Sequence, residues 1–309
     1  AATRNTNIAI EAQMGSEKAG TWEYQLVFNQ RANDDSPTIV RETILRNGDI
    51  ILNRPDQDDE IDKDRKTQTH LEQVAANKAF RDIYAHFANI KYMHIVPQLV
   101  RDRDRYKGSP GDPYGADLLE LVAGINKKTQ ASRLKKIATA LKVAVPQLTD
   151  LELDRDKRGN PHLKARYKHW RSIDAFQEED QFSDGTLRLF GLLWVLLEGS
   201  GLLLLEEPEL SLHPELIRHI PQLIARVNRD TKRQIFISTH SYDLLSDKGI
   251  GLDEVVMLLP DQGGTHAQLA ISSDHVRALL EKGTTMAEAI LPLTAPADAS
   301  QLALFGEEK

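Results

Sequence analysis

The sequence predicts a mixed α/β fold, and three observations predict it. Apolar segments of strand length, separated by turn residues, fill positions 7–53. Helical periodicity takes over in the middle of the chain. An all-apolar run at 202–205, a helical stretch and a second apolar run at 234–238 then give the strand–helix–strand order of a parallel β-α-β unit. At 309 residues there is material for one large domain or two modest ones. No apolar run reaches the length of a membrane span, no charged start precedes an apolar signal region, and there are no cysteines, which excludes disulfides and thiolate metal sites. A cytoplasmic protein with no membrane contact is expected.

Taken in order, 7–13, 22–29, 38–46 and 49–53 alternate or run apolar, with Gly15, Gly20, Asn33-Asp34-Asp35 and Asn47-Gly48 between them as turns. This reads as an antiparallel meander. The acidic stretch 56–64 is expected to be a linker, and Leu71, Ala75, Ala79, Ile83 and Phe87 recur every fourth residue, which predicts a helix over 67–90. A strand at 90–96, a polar Gly/Pro-rich loop, and helices at about 115–126 and 130–144 follow, the second helix stopped by Pro146. Segments around 148–156 and 162–170 flank Lys157-Arg158-Gly159-Asn160-Pro161 as a hairpin. Beyond 246, strands are expected at 253–259 and 265–271, a helix at 273–282, and disorder from Pro292 onward. The expected division is a meander at 1–61, a helical insertion at 62–145, a core at 146–291 and a tail at 292–309.

The polar chemistry gathers in 181–246. The run at 202–205 lacks alternation, the pattern of a strand buried on both faces, and ends in Glu206, Glu207, Pro208 and Glu209. Open α/β sheets bind ligands at the carboxyl ends of their strands, and adjacent carboxylates there call for a metal, a cation or a proton. One can hold Mg²⁺ while the next orients or deprotonates a water; equally, both can simply cap the following helix. The strand at 234–238 leads into Thr239, His240 and Ser241, and the right-handed crossover puts His240 on the same sheet edge as the glutamates. Ser183 is a good N-cap for a helix through Leu187, Phe190, Leu193, Trp194 and Leu197, and Gly185 leaves its first turn open to an anion, although capping alone accounts for these residues.

In this order and spacing the pieces resemble ABC-type ATPase heads, and within them the RecF/SMC/OLD-like group of DNA-repair and anti-phage ATPases. FSDGT stands where the signature motif stands, with Asp184 in place of its first glycine; LLLLEEPELSLHPE resembles a Walker B strand and D-loop; ISTHS resembles the switch-histidine strand. The resemblance implies a P-loop NTPase fold, ATP and Mg²⁺ as cofactors, and a head-to-head homodimer or higher oligomer that works with a separately encoded effector such as a nuclease. By the same resemblance Glu206 helps hold Mg²⁺, Glu207 polarises the attacking water and His240 senses the γ-phosphate. Ser211, Leu212 and His213 form the D-loop region, and Ser183, Asp184, Gly185 and Thr186 face the nucleotide of the opposite subunit.

The family's phosphate cradle is missing: no Gly-Lys dipeptide occurs in the sequence. Either an upstream segment carries it or the head is degenerate. The retained Glu207, His240 and signature loop, and a start within the meander, favour the upstream segment; the chain as given is expected to hydrolyse no ATP alone. A nucleotide-independent scaffold that sequesters a partner toxin or nuclease is the alternative. The net charge of −7 also conceals a basic stretch, 101–171, with 17 Lys/Arg against 9 Asp/Glu. That is either a solvated helical face or a contact for DNA, in which case Arg133, Lys135 and Lys136 are the residues to test.

Overall fold

The computed structural model describes residues 7–16, 20–30, 36–102, 109–168, 175–199, 201–261, 263–296 and 298–305. The expected turn at Asn33-Asp34-Asp35, part of the polar loop before 115, the end of the second hairpin segment and the last four residues lie outside these. The chain divides into two compact units, Ala1–Ile90 and Lys91–Lys309.

In the first unit β1 (Ile8–Ser16), β2 (Gly20–Asn29), β3 (Thr38–Arg46) and β4 (Asp49–Arg54) form the expected antiparallel meander in that order. The β3–β4 turn is Asn47-Gly48, both at positive φ (52° and 87°), the backbone that a two-residue hairpin needs and that Asn-Gly supplies with least strain. Trp22, Tyr24 and Ile44 pack with Phe80 and Ile83 as the core. The acidic stretch is not a linker. It folds as α1 (Gln57–Ile61), closed by a capping box between Asp56 and Asp59, followed by a 3₁₀ turn over Lys63–Thr67.

The helix expected over 67–90 is realised only as a short 3₁₀ turn and α2 (Arg81–Ala88). The reason is a buried ionic network. Arg54, 1% exposed, pairs with Glu42 at 2.9 Å and Asp59 at 2.7 Å, and both acids are fully buried. Glu42 also accepts the backbone N–H groups of His70 (2.9 Å) and Leu71 (3.2 Å), while Arg54 donates to the carbonyls of Arg65 and Gln68. Backbone groups that a helix would pair with each other are used to neutralise this network, so the apolar stripe is not enough to make 67–80 helical.

In the second unit the parallel sheet has the order β10–β9–β5, with β5 (Lys91–Met93), β9 (Leu203–Glu206) and β10 (Ile235–Ser238) in register, Leu204 lying beside both Tyr92 and Phe236. One face is buried: Met93, Leu203 and Leu205 belong to the main core, with Ile235 and Ile237 packed on it. The other face carries Tyr92 (40% exposed), half-buried Leu204 and Phe236 (50% exposed). The expectation that 202–205 is buried on both faces is therefore corrected: alternation is absent from the sequence, but burial alternates in the fold. α3 (Pro97–Arg101), α4 (Leu118–Gly124) and α5 (Lys127–Ala144) follow β5, and Leu118, Leu119, Val122, Leu134, Ile137 and Leu141 enter the same core.

β6 (Leu148–Arg155), β7 (Pro161–Tyr167) and β8 (Ala175–Glu178) form an antiparallel sheet, with the predicted hairpin between β6 and β7. α6 (Asp184–Leu196) is buried from Thr186 to Leu196 except at half-buried Arg188, as expected of a helix apolar on all sides. The helical crossover after β9 is split into α7 (Pro214–Ile217) and α8 (Ile220–Thr231), because Pro221 has no N–H to continue the first helix. After α9 (Tyr242–Leu245), a hairpin of β11 (Val256–Asp261) and β12 (Gly264–Leu269) packs with α10 (Asp274–Glu281) and α11 (Met286–Thr294) around Met257, Val276 and Ile290. Pro292 lies inside α11 and 3₁₀ structure covers Ala299–Leu304, so the described part of the expected disordered tail is folded.

Candidate functional site

Parallel pairing of β9 and β10 sets Glu206 beside Ser238, so the two strands end on one edge and their polar residues converge there, as the β-α-β reading requires. Glu206 shares the open face of the sheet with Leu204 and Tyr92, and the Tyr92 hydroxyl donates to its Oε2. That bond pushes the Tyr92 phenol up to about 12. The next residue turns sharply: Glu207 has φ +40° and its N–H donates to the Ser238 carbonyl at 3.0 Å. Among the described residues no hydrogen bond or ion pair holds the Glu207 carboxylate or the exposed His240 ring.

Glu209 is 5% exposed; the Thr239 hydroxyl donates to Oε1, and Oε2 is buried with no partner. Burial raises its pKa, the Thr239 bond opposing. Thr239 in turn accepts the N–H of Ser241 at 2.9 Å, which fixes the loop carrying His240.

Ser183 caps α6 as predicted, accepting the Thr186 N–H at 3.1 Å. Asp184 is ion-paired with Arg101 at 2.7 Å, and the same guanidinium donates to the Phe182 carbonyl at 2.5 Å. Gly185 lies so close to the Ser211 carbonyl that a Cβ there would meet the oxygen at 2.5 Å, and Ser211 has φ +63°. The signature-like loop and the D-loop-like turn thus touch within one chain, a requirement for glycine at 185 that no nucleotide need impose. His213 caps α7, its Nδ1 accepting the Glu215 N–H at 3.2 Å. Thr186 is buried against the Ser183 hydroxyl at 2.8 Å.

Sequence reasoning missed Tyr92, Arg101 and Arg188, and named Thr239 at the strand end without giving it a role. Arg188 lines a small cavity with Met93, Ile95, Leu192, Leu205, Glu206 and Pro208, and its Nε is buried without a partner. Burial lowers its pKa, opposed by Asp184 and Glu207. An arginine in the first turns of an otherwise apolar helix was the available signal.

Among the described residues no group of three His, Cys, Asp or Glu side chains could hold a metal. Glu206, the residue expected to help hold Mg²⁺, has its Oε2 taken by the Tyr92 hydroxyl, and the side chains around it do not make an all-protein site: an ion there would need phosphate oxygens as further ligands.

A parallel strand ending in carboxylates, a histidine just beyond the neighbouring strand end, a capped helix start and an antiparallel meander flanked by helices make a mixed α/β fold consistent with a P-loop NTPase-like head. The family model described as "AAA domain, putative AbiEii toxin, Type IV TA system" matches residues 5–247, and the chain belongs to that family. Among solved structures, the chain is similar to an SMC head bound to the C-winged helix domain of ScpA, at 13% identity and TM-score 0.44, covering 81% of this chain and 73% of that one. It is also similar to the SMC head domain from Thermotoga maritima, at 11% identity and TM-score 0.39 over 84% of this chain and 73% of that one. The SMC head of Pyrococcus furiosus with an extended coiled coil, bound to the C-terminal domain of ScpA, matches at 12% identity and TM-score 0.37 over 87% and 82%. No curated protein matches the chain. No helix of the described residues is long and apolar enough to cross a membrane.

Proposed function

We propose that the chain is a head that pairs with a second copy and holds a separately encoded toxin or nuclease, and that this holding does not require nucleotide bound by the chain itself. The observation that carries this reading is that most of the motif residues already have partners inside the chain. Tyr92 takes Glu206, Thr239 takes Glu209, Arg101 takes Asp184, Ser211 fills the space beside Gly185, and His213 and Ser183 are spent as helix caps. The family description, which names the family itself as a putative toxin of a type IV system, fits a two-component setting in which the chain acts with a separately encoded component, with anti-phage defence or DNA repair as its context.

One observation favours a second reading, an ATP-driven head that opens and closes on its effector. Glu207 and His240, the pair expected to serve in water activation and γ-phosphate sensing, make no side-chain hydrogen bond among the described residues, and Glu207 holds a strained backbone. Glu207→Gln, introduced into the intact protein, separates the two. The holding reading expects the same oligomer mass and the same partner retention with and without ATP and Mg²⁺, in wild type and variant alike, and no turnover before mutation. The ATPase reading expects measurable turnover that falls by roughly 10²-fold or more in Glu207→Gln, with a larger dimer fraction in ATP. Turnover with nucleotide-dependent partner retention would overturn the holding reading.

A further inference from the structure

One apolar segment lies outside the cores of both units. After α11 ends at Thr294, a short join leads into the 3₁₀ turn over Ala299–Leu304, and Gln301-Leu302-Ala303-Leu304-Phe305 runs through its end. Phe305 is 93% exposed, the most exposed large apolar side chain among the described residues, and Leu302 is 81% exposed. Neither joins an apolar core. The backbone bonds here are local: the N–H groups of Ala299, Gln301 and Phe305 donate to the carbonyls of Pro296, Asp298 and Leu302 at 3.2, 2.9 and 3.3 Å. The Gln301 amide makes no hydrogen bond among the described residues.

Single exposed apolar residues are ordinary on a protein surface. A Leu-x-Leu-Phe run with no charge in it and no part in folding is not. The bond from Phe305 back to Leu302 closes an i, i+3 turn, which sets these two side chains on one side. The pattern also selects among the ways in which proteins read peptides. Six residues of 3₁₀ are too short to lay apolar anchors over two helical turns. Adjacent Leu304 and Phe305 break the alternation that strand addition uses, and there is no Pro-x-x-Pro. What remains is a compact turn whose apolar side chains fill adjoining pockets. The Gln301 amide, with two donors and an acceptor, then hydrogen-bonds at the end of the groove.

We propose that Gln301–Phe305 is a tethered docking peptide for a partner whose groove has adjoining apolar pockets and an amide-binding end, the chemistry of the peptide groove on a ring-shaped DNA-sliding clamp. Docking displaces no core contact of the chain, so its main cost is the ordering of one short segment. It would bring the head to DNA through the ring, without a base-reading surface on the head itself. It involves a different element from the site at the sheet edge and rests on neither reading of that site.

The test is surface plasmon resonance of the full chain over immobilised, purified bacterial sliding clamp. The wild type should bind with a dissociation constant in the micromolar range. The triple variant Gln301→Ala, Leu302→Ala, Phe305→Ala should bind about a hundredfold or more weakly, since each buried apolar side chain is worth about tenfold. Gln301→Glu, which keeps the shape and loses the amide donors, should weaken binding by about tenfold. Ile61→Ala, Val74→Ala, Val143→Ala removes exposed apolar side chains elsewhere and should bind as the wild type. No binding by the wild type, an unchanged Gln301–Phe305 triple, or equal loss in both triples would overturn the proposal. A lower oligomer mass of the Gln301–Phe305 triple in sedimentation velocity, with no clamp present, would also overturn it and assign the segment to a second copy of the chain. Both triples should unfold at the wild-type midpoint, which keeps the comparison free of folding losses.

Discussion

Glu207 concentrates the tension in the site. A non-glycine residue at φ +40° costs on the order of 1–3 kcal/mol and persists only where surrounding structure enforces it, here through its N–H bond to the Ser238 carbonyl. Strain of this kind gathers at functional positions. Glu207→Gly should therefore stabilise the chain by about 1 kcal/mol, while Glu207→Gln, which keeps the same Cβ, should leave stability unchanged. Urea unfolding reads both; a glycine variant no more stable than glutamine would mean that the turn is not strained. The same logic separates Gly185 from Ser183. Gly185 is required by the Ser211 carbonyl whether or not a nucleotide is present, whereas Ser183 does ordinary capping that Asp or Asn would also do.

At the scale of elements, the Arg54 network shows how a buried charge reshapes its neighbourhood. The four-residue apolar stripe at Leu71, Ala75, Ala79, Ile83 and Phe87 is a true helical pattern, yet only its last two members lie in α2, because Glu42 and Arg54 recruit the backbone of 65–71. Removing the cation alone leaves two buried carboxylates uncompensated, so Arg54→Met should cost about 3–5 kcal/mol of unfolding free energy. A triple change of Arg54, Glu42 and Asp59 to apolar residues should recover much of that loss; if Arg54→Met alone is neutral, the network is not what holds this region. The meander, the β6–β7 hairpin and α5 were legible because their signals are local: turn residues at fixed offsets and one buried stripe. The network was not, since its partners are separated by up to 29 positions in sequence. The site divides the same way. Glu206, Glu207 and His240 were legible as strand ends on one sheet edge, but Tyr92 and Arg101 reach the site from more than 80 residues away, and nothing in their own neighbourhoods marks them.

For the whole molecule, the buried carboxylates Asp59 of the first unit and Glu179 and Glu209 of the second are shifted in opposite directions, and this sets how acid acts on each. In the first unit the hydrogen bonds from Arg54 hold the Asp59 carboxyl well below the usual carboxylate range, with burial opposing. A depressed carboxylate stabilises the fold above its unfolded value, near pH 3.9, and that contribution is lost as pH falls toward the folded value. In the second unit burial raises Glu179, which accepts the Leu163 N–H at 2.9 Å and faces His162 at 2.8 Å, and raises Glu209 as well. A raised carboxylate costs stability while ionised, and the cost is relieved as pH falls through its folded value, above about 4.3. Between neutrality and about pH 4.5, protection against hydrogen exchange, taken relative to the intrinsic rate at each pH, should therefore rise at β7 and at the start of α6 while that of β3 and β4 holds steady; below about pH 4 protection at β3 and β4 should fall first. Glu179→Gln should remove most of the rise at β7 and leave the acid response of β3 and β4 untouched. A uniform fall in protection along the chain from neutrality downward would show that overall charge, and not these two buried environments, governs the response.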